Sequence, residues 1–410
     1  MRYFFPTVAA YLVRTLPTVA QSVRNAIDAE PQIAEKSLGE QFRNLFLKPL
    51  EGIILPTPML VVIDALDECQ GDQDIQIVIQ LLEKYLPQTP LKLFVTSRFE
   101  FSIDQGFKAT AGGFIGRDLE GISRDTIKRD VEKFLRTRLN TIRGEFSLVS
   151  GWPVLADFEK LLEKSTPLFI FAATACRFIG DNRQGGGGPD DRLREMLYFD
   201  TLGDLGKTYL PALNQMVHGL QGRARNRALD EFRQIVGSIV VLANPLAAAS
   251  LANLLGISLA SVNNRFRLLH AVLDVPTNAT DAVKLFHESF RDFLLYPDPE
   301  ELHEFRIDQK KTHKSVMEAC LRLLSEKNNL REDICRLGAP GTPRSSVEKA
   351  TVDRCLPSEV QYACLHWAHH LQGSIEGSAL AYEDEQRALC FLERHFLHWL
   401  EALICMGVAY

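Results

Sequence analysis

Apolar residues recur at helical spacing through the first fifty positions: Phe5, Val8, Ala9, Leu12 and Val13 share one face, and a second such segment runs from about Gln41 to Leu50. The period then changes. Pro58 to Ile63 is a short continuous apolar run rich in β-branched residues, which predicts a strand covered on both faces of a parallel sheet. A helical segment from about Asp74 to Tyr85 separates it from a second strand, Leu91 to Thr96, so the stretch reads as a βαβ unit. Phe114 and Ile115 suggest the start of a third strand, and Asp125 to Leu139 an amphipathic helix with Ile127, Val131, Phe134 and Leu135 on one face.

Beyond that point the pattern is helical. Asp157 to Ile179 is apolar enough to be buried all round, and Gln184 to Asp191, with four consecutive glycines and Pro189, is a flexible loop. After helices near 191–243, Leu246 to Leu255, Gly256 and Ser258 to Leu269 spell a helix-turn-helix. Val272 to Val275 and Val283 to Phe286 read as the two strands of a wing behind it. Residues 300–410 are again helical, broken at Gly338 to Pro343, with no repeat period. The expected fold is α/β plus α: a partial P-loop NTPase parallel sheet over 1–148, a helical domain over 149–225, a winged-helix domain over 226–298 and a C-terminal helical domain over 299–410.

Composition narrows the function classes. The 410 residues are 46% hydrophobic and 24% charged, and the formal net charge of −6 is dispersed, with no Lys/Arg run of the kind that tracks a phosphate backbone. Nucleic acid is therefore not an expected partner. No apolar run approaches a membrane span, so no membrane association is expected. The eight cysteines form no CxxC pair and mostly sit in apolar helical patterns, as reduced packing residues do, which suits a cytoplasmic protein. Met1 to Val13 is apolar but lacks a cleavage site, and the abrupt start suits a chain that begins inside a domain.

The sharpest chemical signal is the stretch from Leu60 to Glu68, LVVIDALDE, an apolar strand that delivers acids at its carboxyl end, where open α/β sheets bind ligands. Asp64 is placed to orient Mg²⁺ through its water shell, while Asp67 and Glu68 lie one turn on, where a carboxylate polarises an attacking water. The plainer reading is a soluble loop with three acids. The second strand ends in Thr96-Ser97-Arg98, where Thr96 or Arg98 would sense a γ-phosphate; alone, such an arginine is usually a solvated rim residue.

LVVIDALDECQGD, a helix, and LKLFVTSRFE together resemble the Walker B and sensor 1 regions of NACHT ATPases, signalling P-loop NTPases of the STAND class, especially their fungal NLR-like branch. STPLFIFAATACRFI, LFHESFRDFLLYPD and VQYACLHWAHHL resemble that family's later helical, winged-helix and C-terminal segments, in family order. The resemblance implies an ATP/ADP-dependent switch with Mg²⁺ at Asp64, hydrolysis support from Asp67 and Glu68, and γ-phosphate sensing near Arg98. It further implies that Pro167 lies against adenine and that His287 contacts the β-phosphate of ADP. For His287 the alternative is a histidine at a helix N-terminus packed between Phe286 and Phe290.

One departure stands out. GxxxxGK[ST] does not occur, and the only glycine cluster, Gly185 to Gly188, is followed by Pro-Asp-Asp far beyond the acidic strand. Without that cradle of N–H groups and its lysine, the chain as written is expected not to hydrolyse ATP efficiently. Three functions follow in order: a nucleotide-dependent conformational switch and oligomerisation scaffold, a non-catalytic scaffold that binds protein partners or itself through helical regions, and, distantly, a winged-helix DNA reader. Two decoys are set aside. His366 and His370, with His395 and His398, read as packing and rim histidines rather than a zinc site. Arg265 and Arg267 do not make a basic face on the would-be recognition helix.

Overall fold

A computed structural model describes residues 3–69, 72–98, 100–108, 114–117, 119–181, 187–198, 204–296, 304–338, 347–375 and 382–408. The chain forms two compact units, Met1–Gly121 and Ile122–Tyr410, each with its own core.

The first unit is helical around one small sheet. Helix Phe4–Thr15 buries Phe5, Ala9 and Leu12, three of the residues whose spacing predicted its inner face. Ser37 starts helix Leu38–Phe42 through a reciprocal cap: its hydroxyl accepts the Glu40 N–H, and the Glu40 carboxylate accepts the Ser37 N–H. Phe5, Phe42 and Phe46 then meet ring to ring, at centroid distances of 5.2 Å for each successive pair. Strands β1 (Met59–Ile63) and β2 (Leu91–Val95) pair in parallel, Met59 opposite Leu91 and Ile63 opposite Val95, joined through helix Asp72–Tyr85. That helix contributes Val78 and Leu82 to the core beside Phe5 and Phe42, while its Ile75 and Ile79 pack with Leu66 and Ile103.

The sheet departs from expectation in one respect. β1 alternates rather than being covered twice: Met59, Val61 and Ile63 pack inward, whereas Leu60 and Val62 are each 59% exposed and Phe94 of β2 is 54% exposed. Side chains on a strand point to opposite faces in turn, so a run of apolar residues fixes strand type but not whether anything covers the second face. The expected third strand is also missing among the described residues: 114–117 has no regular structure, and Ile115 is 87% exposed.

Helix Arg124–Glu145 was expected to close the α/β domain at 148, but it falls in the second unit. Its buried face, Val131, Leu135, Leu139 and Ile142, packs into the same continuous core as Leu161 and Phe171. The apolar stretch expected as one helix is two, Leu155–Ser165 and Phe169–Ile179. Pro167 has no N–H to continue the ladder and forces the preceding residue out of helical geometry; Thr166 sits at ψ 121°. The second of these helices buries most of its circumference, including Phe171, Cys176 and Ile179, while Phe169 stays 45% exposed.

The helix-turn-helix is present as Ala248–Leu255 and Leu259–Arg267. Gly256 ends the first helix at φ 68°, a left-handed cap that suits glycine, and the Ser258 hydroxyl accepts the Ser261 N–H to start the second. The two expected wing strands are short: β3 (Leu273–Asp274) and β4 (Lys284–Leu285) pair antiparallel. The remainder is helical, in Gln309–Leu324, Lys349–Cys355, Ser358–Ile375 and Tyr382–Met406. Residues 184–186 of the expected glycine-rich loop and 339–343 of the later break lie outside the described residues, and the last three loop positions, Pro189 to Asp191, instead begin helix Pro189–Tyr198.

All eight cysteines are free thiols, and five of them are buried. Burial pushes the Cys176 and Cys364 thiols up to about 12, which makes them packing residues without nucleophilic character. Among the described residues no helix is long and apolar enough to cross a membrane.

Candidate functional site

The carboxyl ends of β1 and β2 lie side by side because the strands are parallel and in register. The ladder runs past the last strand residues, with Thr96 N–H donating to Ile63 O at 3.0 Å and Leu66 N–H to Thr96 O at 2.9 Å. Between them Ala65 takes a left-handed conformation, φ 53° and ψ 58°, unusual for a residue with a Cβ. Its N–H donates to Thr96 Oγ1 at 2.9 Å, and the Thr96 hydroxyl in turn donates to Asp64 Oδ1. Thr96 is thus a bracket that fixes both the turn and the Asp64 carboxylate, and Asp64 itself remains exposed.

Asp67 follows on the 3-10 turn Leu66–Glu68. It accepts the Arg98 backbone N–H at Oδ1 (2.9 Å) and the Arg98 Nε–H at Oδ2 (2.8 Å). Its side chain is only 3% exposed while that of Arg98 is 55% exposed. Burial opposes ionisation of Asp67, but the side-chain and backbone hydrogen bonds from Arg98 outweigh it and hold the carboxyl below its ordinary value. A carboxylate held this way is a firm acceptor and a weak base. The structure therefore joins two residues that sequence reasoning had given separate roles. The Glu68 side chain lies outside the described residues.

The other two expected contacts belong to the second unit. Pro167 is exposed between the two helices it separates. His287 is the N-cap of helix Glu288–Leu295. Its Nδ1 accepts the Ser289 N–H at 3.1 Å and lies 2.7 Å from Ser289 Oγ, which meets the buried Tyr209 hydroxyl at 2.7 Å. Because Nδ1 accepts, a neutral ring carries its proton on Nε2, and the exposed His287 presents that N–H at the positive end of a helix dipole. Capping and phosphate contact are thus compatible. Tyr209 and Ser289, which hold the ring, escaped the sequence reading because no local pattern links positions 80 residues apart.

The two decoys resolve differently. Arg265 is spent on Glu231, with its side chain only 12% exposed, so the would-be recognition helix keeps little free charge. His366 bonds Asn244 at 2.8 Å rather than pairing with His370. His370 instead meets His313, a residue sequence spacing did not connect to it, at 2.9 Å between their Nδ1 atoms.

A family model described as Nephrocystin 3, N-terminal, matches residues 1–98. That stretch takes in both strands and ends at the arginine that holds Asp67. No curated protein and no solved structure matches the chain.

Proposed function

We propose that the chain is a NACHT-like, STAND-class signalling module of the fungal NLR-like kind, a nucleotide-dependent conformational switch and oligomerisation scaffold that does not turn over ATP efficiently in this form. The observation that carries it is the pair of strand-end acids, Asp64 and Asp67, each gripped from the neighbouring parallel strand by Thr96 and Arg98. On this reading Asp64 orders a Mg²⁺ ion through water, and Asp67 with Glu68 sits toward the terminal phosphate. Arg98 and Thr96 report that phosphate, Pro167 backs the base, and His287 donates its Nε2–H to an ADP phosphate. The donor set fits such a metal: Asp64 is exposed with one oxygen held by a hydroxyl, as outer-sphere Mg²⁺ coordination allows. The phosphate cradle itself is not among the 410 residues, which is why hydrolysis is not expected.

A switch requires that ADP and ATP differ in affinity for its closed and open states. Titration of the full chain with fluorescent ADP and ATP tests this. Saturable, Mg²⁺-dependent binding that Asp64→Ala and His287→Ala each weaken, with hydrolysis at background, is the expected result. No binding at millimolar nucleotide overturns it. The second reading, a non-catalytic protein-interaction scaffold, is favoured by the Thr96 and Arg98 contacts, which tie both acids into the turn as structural groups.

A further inference from the structure

Helices Gln309–Leu324 and Ser358–Ile375 pack along one another in the second unit and bring three imidazoles together. His313 comes from the first helix, and His369 and His370 from the second. One nitrogen from each lies within 4.8 Å of the others. His313 is 5% and His370 0% exposed, while His369 faces solvent.

The cluster is built rather than incidental. Gly373 stands under the His313 ring: a Cβ there would lie 2.7 Å from His313 Nδ1, so any larger residue would displace the ring. On the far side of His370, Nε2 lies 2.7 Å from the Tyr362 hydroxyl, and the Tyr362 oxygen accepts the Ala243 N–H at 3.1 Å. Metal-bound histidines are commonly oriented in this way, by a hydrogen bond on the nitrogen that does not ligate. The arrangement leaves the two Nδ1 atoms facing each other at 2.9 Å, sharing one proton between two lone pairs.

We propose that His313, His369 and His370 form a three-imidazole site for a divalent late transition metal, with His313 and His370 ligating through Nδ1 and His369 closing from the solvent side. A cation takes the place of the shared proton, which moves to the Nε2 of the ring that held it, so both rings stay neutral ligands. At a metal–nitrogen distance of about 2.05 Å, two nitrogens 2.9 Å apart subtend an angle of about 90°. That angle suits the tetragonal or octahedral preference of Cu²⁺ or Ni²⁺, and Zn²⁺ needs the two rings to separate by a few tenths of an ångström. Entry is through exposed His369, and the open positions are left to water.

The test uses the full chain, freed of metal with chelator and then titrated with Cu²⁺, Ni²⁺ and Zn²⁺ by calorimetry, with the visible d–d spectrum of the Cu²⁺ and Ni²⁺ forms as a second readout. One equivalent is expected to bind, with a nitrogen-ligand spectrum and a rise in the melting temperature of the second unit. His369→Ala, exposed and therefore foldable, should weaken binding by about tenfold or more. His218→Ala, at an exposed histidine just after a different helix, Asp204–Val217, should leave the affinity within about threefold, as separate sites do. Absence of stoichiometric binding by the folded chain, or binding that His369→Ala leaves unchanged, overturns the proposal. Neither result bears on nucleotide binding.

Discussion

Asp67 is buried to 3% of its side-chain surface, yet Arg98, which holds both of its oxygens, is more than half exposed. The pair therefore pins the turn after β1 to the end of β2 from inside, with the cation on the wet side. A buried carboxylate is costly unless paired, so the arginine is what makes the acid tolerable at that position.

Removing the charge should show this. Asp67→Asn is expected to lower the local stability of β1 and β2 at neutral pH by about 1–3 kcal/mol, read by amide hydrogen exchange. Because the folded pKa is depressed, the contribution is complete above the unfolded value near ~3.9 and fades as pH falls through the lower folded value. The two proteins should therefore converge once pH falls below that lowered folded value, and a gap that stays constant into acid would contradict the assignment.

The alternation of β1 makes a sharper contrast. Val61→Glu should unfold the first unit, since it places a charge in the core against Phe42 and Leu82, whereas Val62→Glu should shift stability by less than about 0.5 kcal/mol. Equal damage from both, in urea denaturation, would mean that something covers the outer face.

Within the second unit, Arg177 ties the helix Phe169–Ile179 to the wing. It donates to His270 O at 2.8 Å and Leu273 O at 2.7 Å, and its guanidinium carbon lies 3.9 Å from the Phe286 ring centre. Arg177→Ala should cost about 3 kcal/mol, and Arg177→Lys should recover only part of it, because an ammonium cannot reproduce the fork and the stacking. Thermal unfolding of the two variants gives the comparison; full rescue by lysine would reduce the contact to simple charge.

Gly256 offers a backbone test. At φ 68° a Cβ would also meet Arg322 Nη2 at 2.9 Å, and that guanidinium donates to Leu254 O. Gly256→Ala is expected to destabilise the second unit by about 1–2 kcal/mol. A neutral result in denaturant titration would show that the turn relaxes freely.

Period and punctuation in the chain were enough to predict the two parallel strands, the helix between them, the helix-turn-helix with its glycine cap, and the helical remainder. These features are local: side-chain alternation, capping residues and proline's missing donor act within a few positions. They also located Asp64, Asp67, Thr96 and Arg98 at strand ends before any partner was known, because a parallel pair must bring those ends together.

What the tertiary structure alone decided concerns which surfaces meet. An apolar strand does not say whether one face or two will be covered, so Leu60 and Val62 were misread as enclosed. Nor does a helical face say which core it joins; that of helix Arg124–Glu145 packs into the core of the second unit. The Asp67–Arg98 clasp, the Tyr209–Ser289 support under His287 and the His313–His370 contact link positions 31 to 80 residues apart. Such contacts are set by the packing of whole elements, which no short window of sequence contains.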